Sequence, residues 1–355
     1  MVAAAFGALA RSGFARNPVV YRCVQMIAEA SASVPLFAVS GNERLTDHPA
    51  ARLLAMPNPD QPGTGFFETL YGHLQVSGNA YIERVDGVDG PAALYLLRPD
   101  EVTVEAGDDG WPESYLHKVG NRTRRLGRDG DGRMKVIHIR LFNPVNGREG
   151  QSPLGVAADA IDLHNAATGW NKSLLDNAAR PSGALIYRGP EGASSLTGEQ
   201  FDRLKSELSE TYQGHRQAGR PMVLDGGLDW KPMSLSPAEM DFRELKHGAA
   251  REIALAFGVP PMLLGIPGDN TYANYSQANI AFWRQTVLPL IGKVAAALGM
   301  GLGFDGVEIG FDADRVDALH QSRLDRLKML LDADVITEAE KRIALGYPAT
   351  PEQDA

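Results

Sequence analysis

His138 and Ser152 are the two side chains whose neighbours best suit hydrolytic chemistry. His138 sits in Val136-Ile137-His138-Ile139-Arg140, and histidine is the common general base near neutral pH. Ser152 sits in Gly150-Gln151-Ser152-Pro153-Leu154-Gly155, which approaches a nucleophile elbow. An α+β hydrolase using Ser152 or His138 is therefore one reading. Its motif fails, because the elbow needs glycine two residues after the serine and Leu154 stands there. A lone histidine alternating with aliphatic residues is the pattern of a strand position that faces solvent or a satisfied partner. Asp312, Asp314 and Asp317 could hold a cation, but acids also suit the positive end of a helix. Asp269-Asn270-Thr271 is too short for a calcium loop, which ends on a glutamate at its twelfth position. Gly299-Met300-Gly301-Leu302-Gly303 follows a helical pattern, whereas a phosphate cradle follows a strand. The eight histidines are scattered singly, and no Walker A, H-E-x-x-H or C-x-x-C pattern occurs. No cofactor, metal or catalytic constellation is expected.

Composition bounds the remaining classes. The chain has 355 residues, 44% of them hydrophobic, enough for two or three structural units with real cores. Cys23 is the single cysteine, so no intrachain disulfide can form. It lies on an apolar helical face and reads as a small buried hydrophobe. No uninterrupted run of 18 apolar residues occurs, so no membrane span is expected. The start, with Arg11 and Arg16 in an Ala-rich stretch, reads as a loose arm rather than a signal peptide. A net charge of −9 argues against tight non-specific binding to nucleic acid.

The elements follow from periodicity. Asn17-Pro18 opens a helix carrying Val20, Val24 and Ile27, and Pro35 ends it. His48-Pro49 starts a short helix through Leu53 and Leu54, and Pro57-Asn58-Pro59 breaks the chain. Phe66, Leu70 and Leu74 mark another helix, capped by Gly78. From 81 to 140 the period changes to two, giving candidate strands at 81–85, 94–98, 102–105, 115–119 and 134–140, joined by tight turns into an antiparallel sheet. Ser152-Pro153 caps a helix over 154–178 with Ile161, Trp170 and Leu174 facing inward. A capping box at Thr197 and Gln200 starts a helix with the stripe Phe201, Leu204, Leu208 and Tyr212. Residues 215–235 read as a hairpin, in which 222–224 and 228–230 flank Asp225-Gly226-Gly227. A second box at Ser236 and Glu239 starts a helix reaching 257. After 307–311, a strand, the chain is charged and helical, with a last capping box at Thr337 and Glu340.

The stretch 257–291 organises the rest. Gly258, Pro260 and Pro261 stop a helix, a polar loop runs over 265–277, and a helix follows from about Ser276 through Ile280, Trp283, Val287, Val294 and Leu298. Pro289 inside it predicts a kink. The pieces FGVPPMLLG and TYANYSQANIAFWRQTVLP, with the earlier order HP, LL, PNP, helix, GNAY and the later G-x-S-P-L, resemble the portal proteins of tailed bacteriophages. The likeness is to the long-tailed siphophage branch, which gene transfer agents also use, and covers Asn17 to about Tyr347. Ala339-Glu340 and Arg342 depart from the Asn-Glu pair common near the end of that family.

That resemblance implies a wing–stem–clip–crown fold in a ring of twelve. The wing and its N-terminal arm would cover 1–195. Stem helices at 196–214 and 236–264 would flank a clip at 215–235. Residues 265–277 would be the channel loop, 278–311 the kinked helix and return strand of the wing, and 312–355 the crown. It also implies a conduit for double-stranded DNA at one capsid vertex, working with the major capsid protein, the terminase large subunit and a head-completion adaptor in a virion or phage-like particle assembled in the bacterial cytoplasm. Asp269, Asn270, Thr271, Tyr272 and Asn274 would face the DNA, with no Lys or Arg in the loop to trap it. Arg216, Arg220, Trp230 and Lys231 would anchor terminase and adaptor, since Trp and Arg are frequent interface anchors.

Overall fold

Asn17 begins the first long helix, and its side chain shows why. Its Oδ1 accepts from the backbone N–H groups of Val19 and Val20 at 3.0 and 3.2 Å, while Pro18 supplies a first turn that needs no donor. The computed structural model describes residues 7, 10–41, 43–87, 90–176, 183–187, 197–212, 228–232, 242–268, 271–320, 328–329, 332 and 337–344.

In chain order, α1 is Pro18–Ser33, β1 Leu36–Ser40, β2 Glu43–Leu45, α2 Pro49–Ala55, α3 Gly63–Ser77, β3 Asn79–Gly87 and β4 Gly90–Leu97. Strands β5 (Val102–Ala106), β6 (Pro112–Val119), β7 (Arg122–Leu126) and β8 (Val136–Arg140) follow. Then come α4 (Pro153–Val156), α5 (Ala158–Asp176), β9 (Gly183–Tyr187), α6 (Gly198–Tyr212), β10 (Leu228–Pro232) and α7 (Phe242–Ala256). The described elements close with α8 (Tyr272–Phe282), α9 (Leu288–Leu302), β11 (Glu308–Phe311) and α10 (Glu338–Ala344).

All pairings among the described strands are antiparallel, as the short strands and tight turns implied. The expected single sheet is instead two, ordered β4-β3-β8 and β5-β6-β7. A third, β11-β1-β2, unites the two ends of the body, with Leu36 opposite Phe311. Strands β1, β2 and β7 escape sequence reading because they are short and mostly polar or half-exposed.

The main core joins Val20, Cys23 and Ile27 of α1 to Phe66, Leu70 and Leu74 of α3, Ile82 of β3, Ile139 of β8 and Ile291, Val294 and Leu298 of α9. Each fully buried aliphatic or aromatic side chain there contributes about 1.5–3 kcal/mol. Burial pushes the Cys23 thiol up to about 12, so it is an inert core residue. A second cluster, Tyr81, Leu97, Val102, Tyr115, Leu126 and Val136, lies between the two three-stranded sheets.

Several expectations are corrected. The helix over 154–178 is broken at Ala157 into α4 and α5. Trp170 is not on its inner face; it is exposed. The buried stripe is Ala160, Ile161, His164 and Ala167, and Trp170 lies nine residues from Ile161, half a turn out of phase. One arm of the hairpin expected over 215–235 is described, and it has a partner not expected from the sequence. Strand β10 pairs with β9, Trp230 opposite Leu185, which ties residues before α6 to residues after it. Residues 222–224, and the capping box expected at Ser236 and Glu239, lie outside the described residues.

Residues Ala273–Leu302 are long and apolar enough to cross a membrane by length and mean hydropathy, although no unbroken apolar run of 18 occurs there. Arg284 and Lys293 interrupt the stretch, and Ile291, Val294 and Leu298 are fully buried in the main core. We read it as a core helix.

Candidate functional site

The residues that suggested catalysis meet at one junction. Gly78 ends α3 in the left-handed conformation, with φ of 78°, and turns the chain into β3. Asn79 then accepts from the backbone N–H of Gly150 at 2.7 Å through Oδ1, which also lies 3.0 Å from His138 Nε2. Leu141 N–H donates to the Gly78 carbonyl at 2.8 Å. Ser152 Oγ donates to the Val76 carbonyl at 2.7 Å and accepts from Gly155 N–H at 3.0 Å, capping α4. The GNAY, HIR and G-x-S-P-L pieces are therefore one structural clamp, in which helix ends and strands from four parts of the chain share hydrogen bonds.

His138 stacks on Tyr81, ring centroids 4.3 Å apart, and its Nδ1 lies 3.4 Å from the Tyr115 hydroxyl. Burial, assisted by the Arg140 charge, holds the imidazole neutral, at about 3. A base needs a pKa near the working pH, and this ring is far below it. Ser152 spends its hydroxyl on the backbone. The hydrolase alternative is thus corrected: the pair is structural. Asp312, at the head of the acidic trio, accepts from Asp314 N–H at 3.1 Å and caps a 3₁₀ turn.

His73 is a second buried imidazole, held at about 4 by burial despite the opposing charge of Asp100. Both folded values lie below the unfolded one, so the unfolded chain binds more protons as pH falls. Their contribution is complete above about pH 6.5 and is lost on the way down to the folded values. Each histidine should therefore remove about 2 kcal/mol of stability between pH 7 and pH 5. Urea unfolding of wild type and His138→Gln at the two pH values checks this; an unchanged pH slope in the variant would count against the assignment.

The polar loop is shorter than expected. Thr271 caps α8, its Oγ1 accepting from Asn274 N–H at 3.2 Å. Tyr272 and Asn274 therefore belong to the first helical turn rather than to a loop reaching 277, because the Thr271 cap starts the helix ahead of Ser276. Asp269 and Asn270 lie outside the described residues, as do Arg216 and Arg220. The loop starts at Gly265, whose φ of 72° ends a 3₁₀ turn, and is pinned at Pro267, whose carbonyl accepts from the Arg251 guanidinium of α7. Arg251 was not among the expected site residues; nothing in the sequence links it to a loop 16 residues away. Thr286 ties the far side, donating to the Gly258 carbonyl at 2.6 Å. A π-helical turn, Trp283–Val287, precedes Pro289, which sits in the first turn of α9. Lys231 is exposed on β10 and Trp230 is its neighbour in that strand.

The sequence model of the family described as phage portal protein matches residues 18–346. The chain belongs to the phage portal protein family. It is 29% identical over 309 residues to the portal protein of Escherichia phage T5, covering 84% of this chain and 70% of that one. Among solved structures, a chain from the neck of an empty gene transfer agent particle, computed with C6 symmetry, superposes with TM-score 0.77 at 49% identity, over 97% of this chain and 94% of that chain. A chain from the neck of a native particle, computed with C12 symmetry, gives 0.74 at 48% identity over the same shares. The portal fold and the mixed helix-and-strand class expected from the sequence are those of these neighbours.

Proposed function

We propose that this portal protein forms a ring of twelve at one vertex of a phage-like particle, and that double-stranded DNA enters and leaves through its bore. The observation that carries this is the match along 97% of the chain to chains in the necks of gene transfer agent particles, one of them computed with C12 symmetry. In this reading the stem is α6 and α7, the clip includes β10 with its partner β9, and the channel loop is 265–271. The subunit is a structural component. The terminase large subunit and later the head-completion adaptor dock at the clip, with Trp230, Lys231, Arg216 and Arg220 as the anchoring side chains. The major capsid protein surrounds the wing, and assembly takes place in the bacterial cytoplasm.

The charge supports a conduit. At −9 per chain the ring offers few net phosphate contacts, which favours sliding over sticking. Arg251, one cation per subunit at the loop base, is already committed to Pro267.

Two measurements test the reading. Rings purified from particle-forming cells should weigh about 460 kDa, twelve times 38.3 kDa, whereas a low-order cyclic oligomer of ordinary enzyme size would refute it. For the loop, Asn270→Cys should react with a small thiol reagent in empty particles and be shielded in DNA-filled ones, the native Cys23 being buried. Equal labelling in both would remove the loop from the bore.

A further inference from the structure

The loop between β8 and α4 is built to display two apolar side chains. Phe142 is 81% exposed and Val145 91% exposed, two of the highest values among the large hydrophobic residues. They do not sit on slack backbone. Asn143 Oδ1 accepts from Val145 N–H at 3.0 Å and from Asn146 N–H at 3.1 Å. Asn146 Oδ1 in turn accepts from Arg148 N–H at 2.9 Å, and Arg140 donates to the Gly147 carbonyl. Two successive Asx turns and Pro144 thus hold an apolar knob in water. A preorganised knob loses little ordering entropy when it docks.

The same chain carries a receiving shape. A cleft of about 680 Å³ lies between α9 and β11, floored by Gly292, Ala295, Ala296 and Gly299 and walled by Ile309 and Phe311. Its small residues leave room for an inserted ring. Glu308 stands exposed on its rim, and Arg148 stands exposed beside the knob. The charges are opposite. β11 is the edge of its sheet, with β1 as its described partner, so nothing described on that side covers the cleft.

We propose that Phe142 and Val145 of one subunit insert into the α9–β11 cleft of the next, with Arg148 meeting Glu308. This rests on the ring reading above. A knob and a cleft on different elements of one chain make a heterologous contact, the head-to-tail kind that builds a ring rather than a closed dimer.

The test is disulfide trapping in the full chain, within rings or particles. Val145→Cys combined with Ala296→Cys should, under mild oxidation, give a ladder of cross-linked species well beyond the dimer. Either substitution alone should give none, since Cys23 is buried and inert. Arg148→Glu and Glu308→Arg should each cut the ladder yield several-fold, and their combination should restore it. Wild-type rings with no ladder in the double-cysteine chain would overturn the contact while leaving the ring reading intact. A product stopping at dimers, or charge reversals without mutual rescue, would overturn it too. Wild-type chains that never form rings would sink the ring reading itself.

Discussion

Gly150→Ala is expected to prevent accumulation of folded protein. A Cβ at this position would stand 2.7 Å from Leu141 N, and closer still to the Gly78 carbonyl oxygen. Both neighbours are backbone, held in place by the clamp of Asn79, Leu141 and Ser152. They cannot swing aside as a side-chain tip could, so the added carbon must separate the end of α3 from the start of α4. That also breaks the 2.7 Å bond from Gly150 N–H to Asn79. The combined loss should be about 4 kcal/mol or more, in the range that removes most of a domain's margin. Gly72→Ala is the contrast: its Cβ would meet nothing within 4 Å, and it lies inside α3. That change should be neutral or stabilising by up to about 1 kcal/mol. Soluble yield and thermal unfolding of the two variants decide the matter. Equal yields would mean that the clamp is not rigid.

Arg84→Met is the second large effect. The Arg84 side chain is only 3% exposed. Its Nη1 donates to the Gly301 carbonyl at 3.1 Å and its Nη2 to Asp86 at 3.3 Å, and Nη2 is also paired with Asp129. Nε lies 2.9 Å from Asp86 Oδ1, off the hydrogen-bond angle. Asp129 in turn organises the turn before β8, accepting from Asp131 N–H at 3.0 Å and Arg133 N–H at 2.8 Å. Burial tends to raise its carboxyl, but those N–H groups and Arg84 outweigh it and hold the pKa below the usual range. One buried cation thus joins β3, the β7–β8 connection and the C-terminal turn of α9. Its removal strands the acids that it balances, and breaking a buried pair this way costs about 3–5 kcal/mol. Arg84→Lys should recover only part, because a single ammonium cannot reproduce the fork. The exposed pair Arg22–Glu29, at 3.7 Å, provides the baseline: Arg22→Ala should cost under about 1 kcal/mol. Urea midpoints of the three variants check the order. An Arg84→Met chain as stable as Arg22→Ala would refute the role.

Much of this protein was legible in its sequence because its signals are local. Asn17-Pro18, Thr197 with Gln200, and Thr337 with Glu340 cap helices in the structure, since a cap needs only residues within one turn. The left-handed ends at Gly78 and Gly258 are likewise set by the missing Cβ. The motif order was enough to place the chain in its family.

Elsewhere a distant partner or a side-chain cap decides the outcome. Trp170 faces outward because one apolar residue does not define a helix face without a surface to pack on. Thr271 ends the loop ahead of the expected start at Ser276 because its side chain caps the helix there. β10 found β9 and β11 found β1 across 45 and 275 positions respectively, Trp230 lying opposite Leu185 and Phe311 opposite Leu36. Sequence by itself determined the helices, the turns, the family and the absence of a catalytic motif. Only the tertiary structure showed that His138, Ser152 and Asn79 form a clamp, that Arg84 is a buried hub and that Arg251 pins the loop after Gly265. Each of those roles depends on backbone groups far along the chain, and a backbone carbonyl or N–H carries no sequence signal of its own.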